Sequence, residues 1–521
     1  MTTAPSWRAD CLAGGAATLL GLLLSALPHL VAWQRTGRPE WFADHDDFAV
    51  YMLLGSRAYH DHPTYLTDPV CRGERESAYS SLQSAPGVCL ARLLGLGPLT
   101  VNLTWRALSG IGAGLLWYAL LRVYVARPVA AAALAALLLS DAGVVEGCLL
   151  YSHTKTAVAL LTHPGETLPT QVHLMPQWRI LNPGLSLPWL LLYLGCVARA
   201  VGAPAWWRTA LAGVAFGLLF HVYFYLWTAA GLGLLLTTAL DRPRWKTYCA
   251  IGGIGLGLGA PALWQTFAMR RACGTEWLLR QDKFLPVGHF AELLWPRLPL
   301  ALLAACLVWV WWRRHDLAYL AGLAAGGFVL LNQQLFTGLQ IENYHWKFAY
   351  GPALALLTLL ACVGAGVPAS RGGRAARTAA WFVVPIVVVS GLGFRVLEAT
   401  RGGEAARITG AVGAYREQRP AGCVPPLRPN TAVAGDPDFV VTASILEDTR
   451  PLDGYAVLVS PTVGDAEWDT RAALDGVLRG LSRDEFRREQ LGRLKGIPWG
   501  PWGRGRSAAA REERLRKRLE A

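Results

Sequence analysis

Charge is scarce in this chain: 16% of its residues are charged against 53% hydrophobic. Its apolar residues come in long blocks rather than at amphipathic spacing, which excludes an ordinary soluble globular protein and predicts a polytopic membrane protein. Cysteine offers no metal framework. The ten Cys are scattered, with no CxxC and no paired Cys/His spacing, so a structural zinc site is not expected. Lysine is nearly absent, six against 43 Arg in the 49 bases, which points to a GC-rich genome. The net charge of +13 comes mostly from single Arg residues at block edges, and no basic run interleaves with exposed aromatics, so nucleic-acid binding is not expected. The first apolar run lacks a small-residue cleavage site and reads as a retained signal anchor. No internal repeat is visible.

Windows of roughly 20 residues place spans at 11–33, 100–125, 128–150, 185–203, 207–221, 225–240, 247–268, 296–312, 316–335, 346–367 and 378–398. About eleven transmembrane helices are therefore expected. The pair 207–240 is read as two short helices meeting at the aromatic knot Phe220, His221, Tyr223, Phe224 and Tyr225. Trp33, Trp41, Trp206, Trp207, Trp311 and Trp312 are read as the aromatic belts of the two interfaces. Arginines in alternate connections put the N-terminus in the cytoplasm by the positive-inside rule. The first loop, 34–84, holds eight acids against five bases and is assigned to the outside. Residues 1–398 form the predicted membrane domain. The last 123 residues, with about 20 bases and 17 acids, read as a small α/β soluble domain (399–521), extracytoplasmic on this span count, with strands at 431–434 and 455–460 and helices within 465–494 broken near Gly480. The run Gly252, Gly253, Gly255, Gly257, Gly259 imitates a nucleotide loop. It lies inside an apolar span with no preceding strand and is read as helix packing.

The chemistry-bearing residues begin directly after the first span, where Asp44, Asp46 and Asp47 crowd a membrane edge. Like charges in a poorly solvated setting raise at least one carboxyl pKa, as proton transfer requires. The competing reading is that Asp46 or Asp47 caps a helix from Phe48 to Tyr59. Positive charge appears in outer loops, where the topology rule disfavours it: Lys155, Arg179, Arg270, Arg271, Arg280, Lys283, Arg297 and Lys347, joined by His153, His163, His173, His289 and His345. As a group these predict a site for an anionic phosphate beside the membrane.

The order and sidedness of these features resemble the GT-C glycosyltransferases, membrane enzymes that use polyprenyl-phosphate-linked sugars. The resemblance rests on DHDDFAVYMLLGSRAYHDHPTYLTDP (44–69), GLLFHVYFYLWT (217–228) and NQQLFTGLQIENYHWKF (332–348), and it covers residues 1–398. It implies a GT-C-like fold, a polyprenyl-phosphate sugar as donor, membrane lipids as surroundings, and a glycan, lipid or protein acceptor. It further implies the bacterial inner membrane as location. In the catalytic role it places Asp46, ranked just ahead of Asp47, with Asp44 beside them. For the phosphate it points to Lys155, Arg179, Arg271, His345 and Lys347; for substrate, to Tyr51, Arg57, His60, His221, Asn332 and Gln333. The soluble domain lacks a WWD-type signature, which argues against transfer of a glycan to Asn.

The reaction needs a base for the acceptor hydroxyl and cations for the leaving phosphate. No cofactor is required. A divalent metal between the carboxylates is an open option. A secondary transporter or lipid-linked-glycan flippase is the rival class, supported by the apparently buried acids Asp141 and Glu146, though the missing repeat speaks against it. A membrane acyltransferase would need a His or Ser nucleophile constellation, and none stands out.

Overall fold

The computed structural model describes residues 7–44, 47–62, 81–163, 173–273, 284–286, 288–289, 294, 296–341, 343–364, 371–401, 403–419, 427–429, 431–452, 465–486 and 488. Long helices dominate. In chain order they are α1 (Trp7–Thr36), α2 (Leu53–His60), α3 (Ser81–Leu93), α4 (Val101–Tyr124), α5 (Pro128–Ser140), α6 (Tyr151–Thr162), α7 (Ser186–Gly202), α8 (Trp206–Phe220), α9 (Phe224–Leu240), α10 (Trp245–Cys273), α11 (Arg297–Arg313), α12 (Ala318–Leu331), α13 (Lys347–Gly364), α14 (Arg371–Arg401), α15 (Gly403–Gln418), α16 (Pro437–Glu447) and α17 (Asp465–Leu478). Each predicted span overlaps one of these helices, but the helix in 128–150 ends already at Ser140, where Asp141 opens a turn. Five helical stretches are long and apolar enough to cross a membrane, and α5, α8, α9, α12 and α13 supply shorter apolar ones. The pair α8 and α9 is divided at His221, as the aromatic knot predicted.

Close packing explains the glycines. A Cβ on Gly21 would stand 2.2 Å from the Gly110 carbonyl oxygen, so α1 and α4 approach backbone to backbone, as small residues allow within a bilayer. The glycine run in α10 serves packing too: Gly255 and Gly259 face Phe216 and Phe220 of α8.

Strands are short. Phe284–Pro286 pairs antiparallel with Leu339–Ile341, and Ala432–Val433 pairs parallel with Arg450–Pro451. The second pair includes the predicted 431–434 strand; 455–460 lies outside the described residues. Helix α17 ends before Gly480, which has φ +68°, at the predicted break.

The region after α14 docks on the first loop. Ile408, Val412, Val441, Ile445 and Trp468 share one apolar core with Phe48, Val50, Met52, Leu53 and Trp105. Polar bonds fix this docking, since Ser56 Oγ donates to the Ile445 carbonyl at 2.7 Å and Arg57 Nη1 to Asp448 Oδ1 at 2.8 Å. The first loop is thereby held between this region and α4.

Candidate functional site

Asp44 and Asp47 lie at the start of the short helical segment that follows α1. Asp44 precedes a π-helical turn, Asp47–Met52, and its Oδ1 accepts the Asp47 backbone N–H at 2.8 Å. Asp44 thus caps the turn, because it stands three residues before an orphan N–H at its start. Capping by Asp44 leaves the Asp47 carboxylate available for other contacts. Asp46 and His45 lie outside the described residues.

Asp47 is fully buried and meets Arg106 of α4, Nη2 to Oδ2 3.2 Å. Its Oδ1 has no hydrogen-bond partner, with Arg179 Nε 3.8 Å away. Asp44 Oδ2 is bonded to His173 Nε2 at 2.7 Å and lies 3.8 Å from the same Arg179 Nε. Burial and the Asp44 charge hold Asp47 above the usual carboxylate range, against the pull of Arg106, Arg179 and His173. Burial acts to raise Asp44 as well, but Arg179 and the His173 bond outweigh it and hold that carboxyl below the usual range. The two acids therefore have opposite characters, one firmly ionised and the other basic enough to take a proton.

Arg106 is held as tightly as it holds. Its Nε donates to Asn102 Oδ1 at 3.1 Å and its Nη1 to the Trp178 carbonyl, and its guanidinium lies 4.8 Å from the Trp41 ring centroid. Arg395 covers the same ring at 5.5 Å while pairing with Glu398. Trp41 is thus no belt residue: it is 2% exposed, because two buried guanidinium groups need its π face. Trp33, Trp206, Trp207, Trp311 and Trp312 are exposed, as expected of belts.

Sequence reasoning did not single out Arg106, Asn102, Arg395 or Glu398, and it read His173 only as one of several outer-loop histidines. Its available signal was the rule that an ionisable residue inside an apolar span has a partner; Arg106 in VNLTWRALSG and Arg395 in the last span both meet it.

No protein-family model matches this sequence, and no curated protein matches it either. Among solved structures it is similar to the crystal structure of ArnT from Cupriavidus metallidurans bound to undecaprenyl phosphate, with a TM-score of 0.51 at 14% sequence identity, over 89% of this chain and 87% of that one. This chain has the ArnT fold. The expectation of a multi-pass helical architecture is met.

Within the ArnT fold the remaining predicted residues take varied places. Lys347 opens α13, where the charges of Glu146 and Arg179 both act on it. His345 is buried, bonded to the Tyr223 hydroxyl and stacked on Tyr225 at 4.9 Å. Lys155 on α6 and Arg271 in the last turn of α10 are exposed. His221 Nε2 contacts the Leu258 carbonyl at 3.1 Å.

Several of the polar candidates are engaged in holding loops. Asn332 exchanges hydrogen bonds with the backbone of Leu294, while Gln333 Nε2 donates to the Leu339 carbonyl at 2.9 Å. Arg57 binds Asp61 and Asp448, and His60 contacts the Ile445 carbonyl. Tyr51 is buried in the core under the first loop. Asp141, the rival reading's acid, accepts the N–H groups of Gly143 and Leu150 at 2.6 Å each and so shapes the turn after α5.

A divalent metal fits this site poorly. The two carboxylates already face Arg106, Arg179 and His173, and among the described residues no three His, Cys, Asp or Glu side chains are grouped as a metal ion would need.

Proposed function

We propose that this chain is an integral membrane glycosyltransferase of the bacterial inner membrane, which moves a sugar from a polyprenyl-phosphate donor to an acceptor hydroxyl on the extracytoplasmic face, its N-terminus being cytoplasmic. One observation carries the reading: a buried aspartate with an unbonded carboxylate oxygen stands 3.8 Å from an arginine. The ArnT fold supports it, since the solved protein carries undecaprenyl phosphate.

In this reading Asp47 is the general base. Its Oδ1 takes the acceptor's proton as the acceptor oxygen attacks the anomeric carbon, while Arg106 pins Oδ2 and so fixes the carboxylate's direction. The bond from the anomeric carbon to the phosphate oxygen breaks. Arg179 and Lys347 offset the charge that the leaving phosphate gains, in a setting of low dielectric where each counts for more than in water. Asp44 holds the turn that presents Asp47. The transporter reading loses support, because Asp141 is committed to backbone N–H groups, while Glu146 is only half-buried and accepts the Ser152 hydroxyl.

The test is transfer by purified protein from a panel of synthetic polyprenyl-phosphate sugars. Asp47→Asn is expected to lower kcat by about 10²–10⁴-fold, whereas Asp46→Asn is expected to lower it far less. Full activity in Asp47→Asn sinks the base assignment, and no transfer from any donor sinks the glycosyltransferase reading.

A further inference from the structure

His173 is built into the site in a way that the reading above leaves unused. Its Nε2 lies 2.7 Å from Asp44 Oδ2, and the two side chains are each 13% exposed. The other nitrogen, Nδ1, makes no hydrogen bond among the described residues. An imidazole tethered through one nitrogen to a buried carboxylate, with the second nitrogen open, is arranged for proton transfer at that second nitrogen.

The loop that carries it is anchored at three consecutive turns of backbone and side chain. The Met175 N–H donates to Glu398 Oε1 at 3.1 Å, Gln177 Nε2 donates to the Asp141 carbonyl at 3.0 Å, and the Trp178 carbonyl accepts from Arg106. Leu174 and Met175 are buried. The ring is therefore held in place relative to Asp47, a second time through Asp44, whose two oxygens bind the Asp47 N–H and His173 respectively. Arg179 Nε stands 3.8 Å from both Asp44 Oδ2 and Asp47 Oδ1.

We propose that His173 is a catalytic residue, an Asp44-oriented general acid that gives its Nδ1 proton to the phosphate oxygen departing from the sugar. This rests on the glycosyl-transfer reading. The acceptor oxygen bonds to the anomeric carbon and its proton passes to Asp47; the carbon–oxygen bond to phosphate breaks, its electron pair stays on that oxygen, and the oxygen takes the His173 proton. Polyprenyl phosphate leaves protonated. The neutral imidazole keeps its Nε2–H on Asp44, and water returns the proton from Asp47 to Nδ1, so atoms and charge balance over the cycle.

His173→Gln tests this, because the amide can still donate to Asp44 but has no proton to transfer. The pH profile of transfer from a synthetic polyprenyl-phosphate sugar is expected to lose its alkaline limb, with kcat down by about 10²–10⁴-fold and the donor KM little changed. Asp44→Asn, which keeps an acceptor for the Asp47 N–H, serves if the first variant does not fold; its kcat is expected to fall by about 10²–10⁴-fold, since the imidazole loses the carboxylate that orients it. Retention of kcat and of the alkaline limb in His173→Gln, or of kcat in Asp44→Asn, overturns the general acid while leaving the transferase reading intact. Absence of transfer by the wild type with every donor overturns both.

Discussion

Arg106→Met removes the counter-charge of Asp47 with little change of side-chain length. Arg106 and Asp47 are fully buried and 3.2 Å apart, and the same guanidinium serves Asn102 and the Trp178 carbonyl. Breaking a buried pair from one side leaves an uncompensated charge, at a cost of about 3–5 kcal/mol. The pH dependence follows from Asp47, whose carboxyl is raised above the ordinary carboxylate range in the folded chain by burial and the Asp44 charge. A carboxyl raised on folding adds stability that is full below the unfolded value and is lost as pH rises through the folded one. Without Arg106 the folded value rises further. The deficit is therefore largest at alkaline pH and shrinks on acidification, by about 1.4 kcal/mol for each unit by which the pKa climbs. Unfolding of purified protein in lipid nanodiscs, followed across this pH range, reads the effect. The double variant Arg106→Met with Asp47→Leu should recover most of the stability, since an apolar pair often replaces a buried ion pair without loss, yet remain inactive. Wild-type stability in Arg106→Met, or a deficit that is constant with pH, would refute the claim that Arg106 is the charge partner of Asp47.

Two further outcomes follow from the packing around the site. Gly184→Ala puts a Cβ 2.0 Å from the Arg179 carbonyl oxygen, which must displace Arg179; kcat is expected to fall by about 10²-fold, the scale of an ångström misplacement, and steady-state kinetics at wild-type level would contradict it. Arg57→Met strips Asp448 and Asp61 of their partner, costing about 2 kcal/mol and making the α16 segment a faster proteolysis target than in the wild type; a cleavage rate equal to the wild type's would count against the docking bonds as the anchor.

The acid-rich first loop was legible because three carboxylates at a span's exit are conspicuous in an apolar chain. Their division of labour was not. Asp44, Asp46 and Asp47 are chemically identical in the sequence, and only the start of the π-helical turn makes Asp44 the cap and turns Asp47 toward Arg106. Arg179 and Lys347 were found by charge on the disfavoured side, and the same signal also flagged Lys155 and Arg271, which are exposed. Trp41 carries every mark of a belt residue, because burial between Arg106 and Arg395 depends on partners 65 and 354 positions away.

The hydrophobic blocks determined by themselves that this is a multi-pass helical protein, since bilayer burial acts on each span separately. Tertiary structure alone decided which charges meet. Arg106, Asp47, Asp44, His173 and Arg179 come from three distant segments, and their pairing exists only once helix packing brings those segments within a few ångströms, where burial makes each charge depend on its partner.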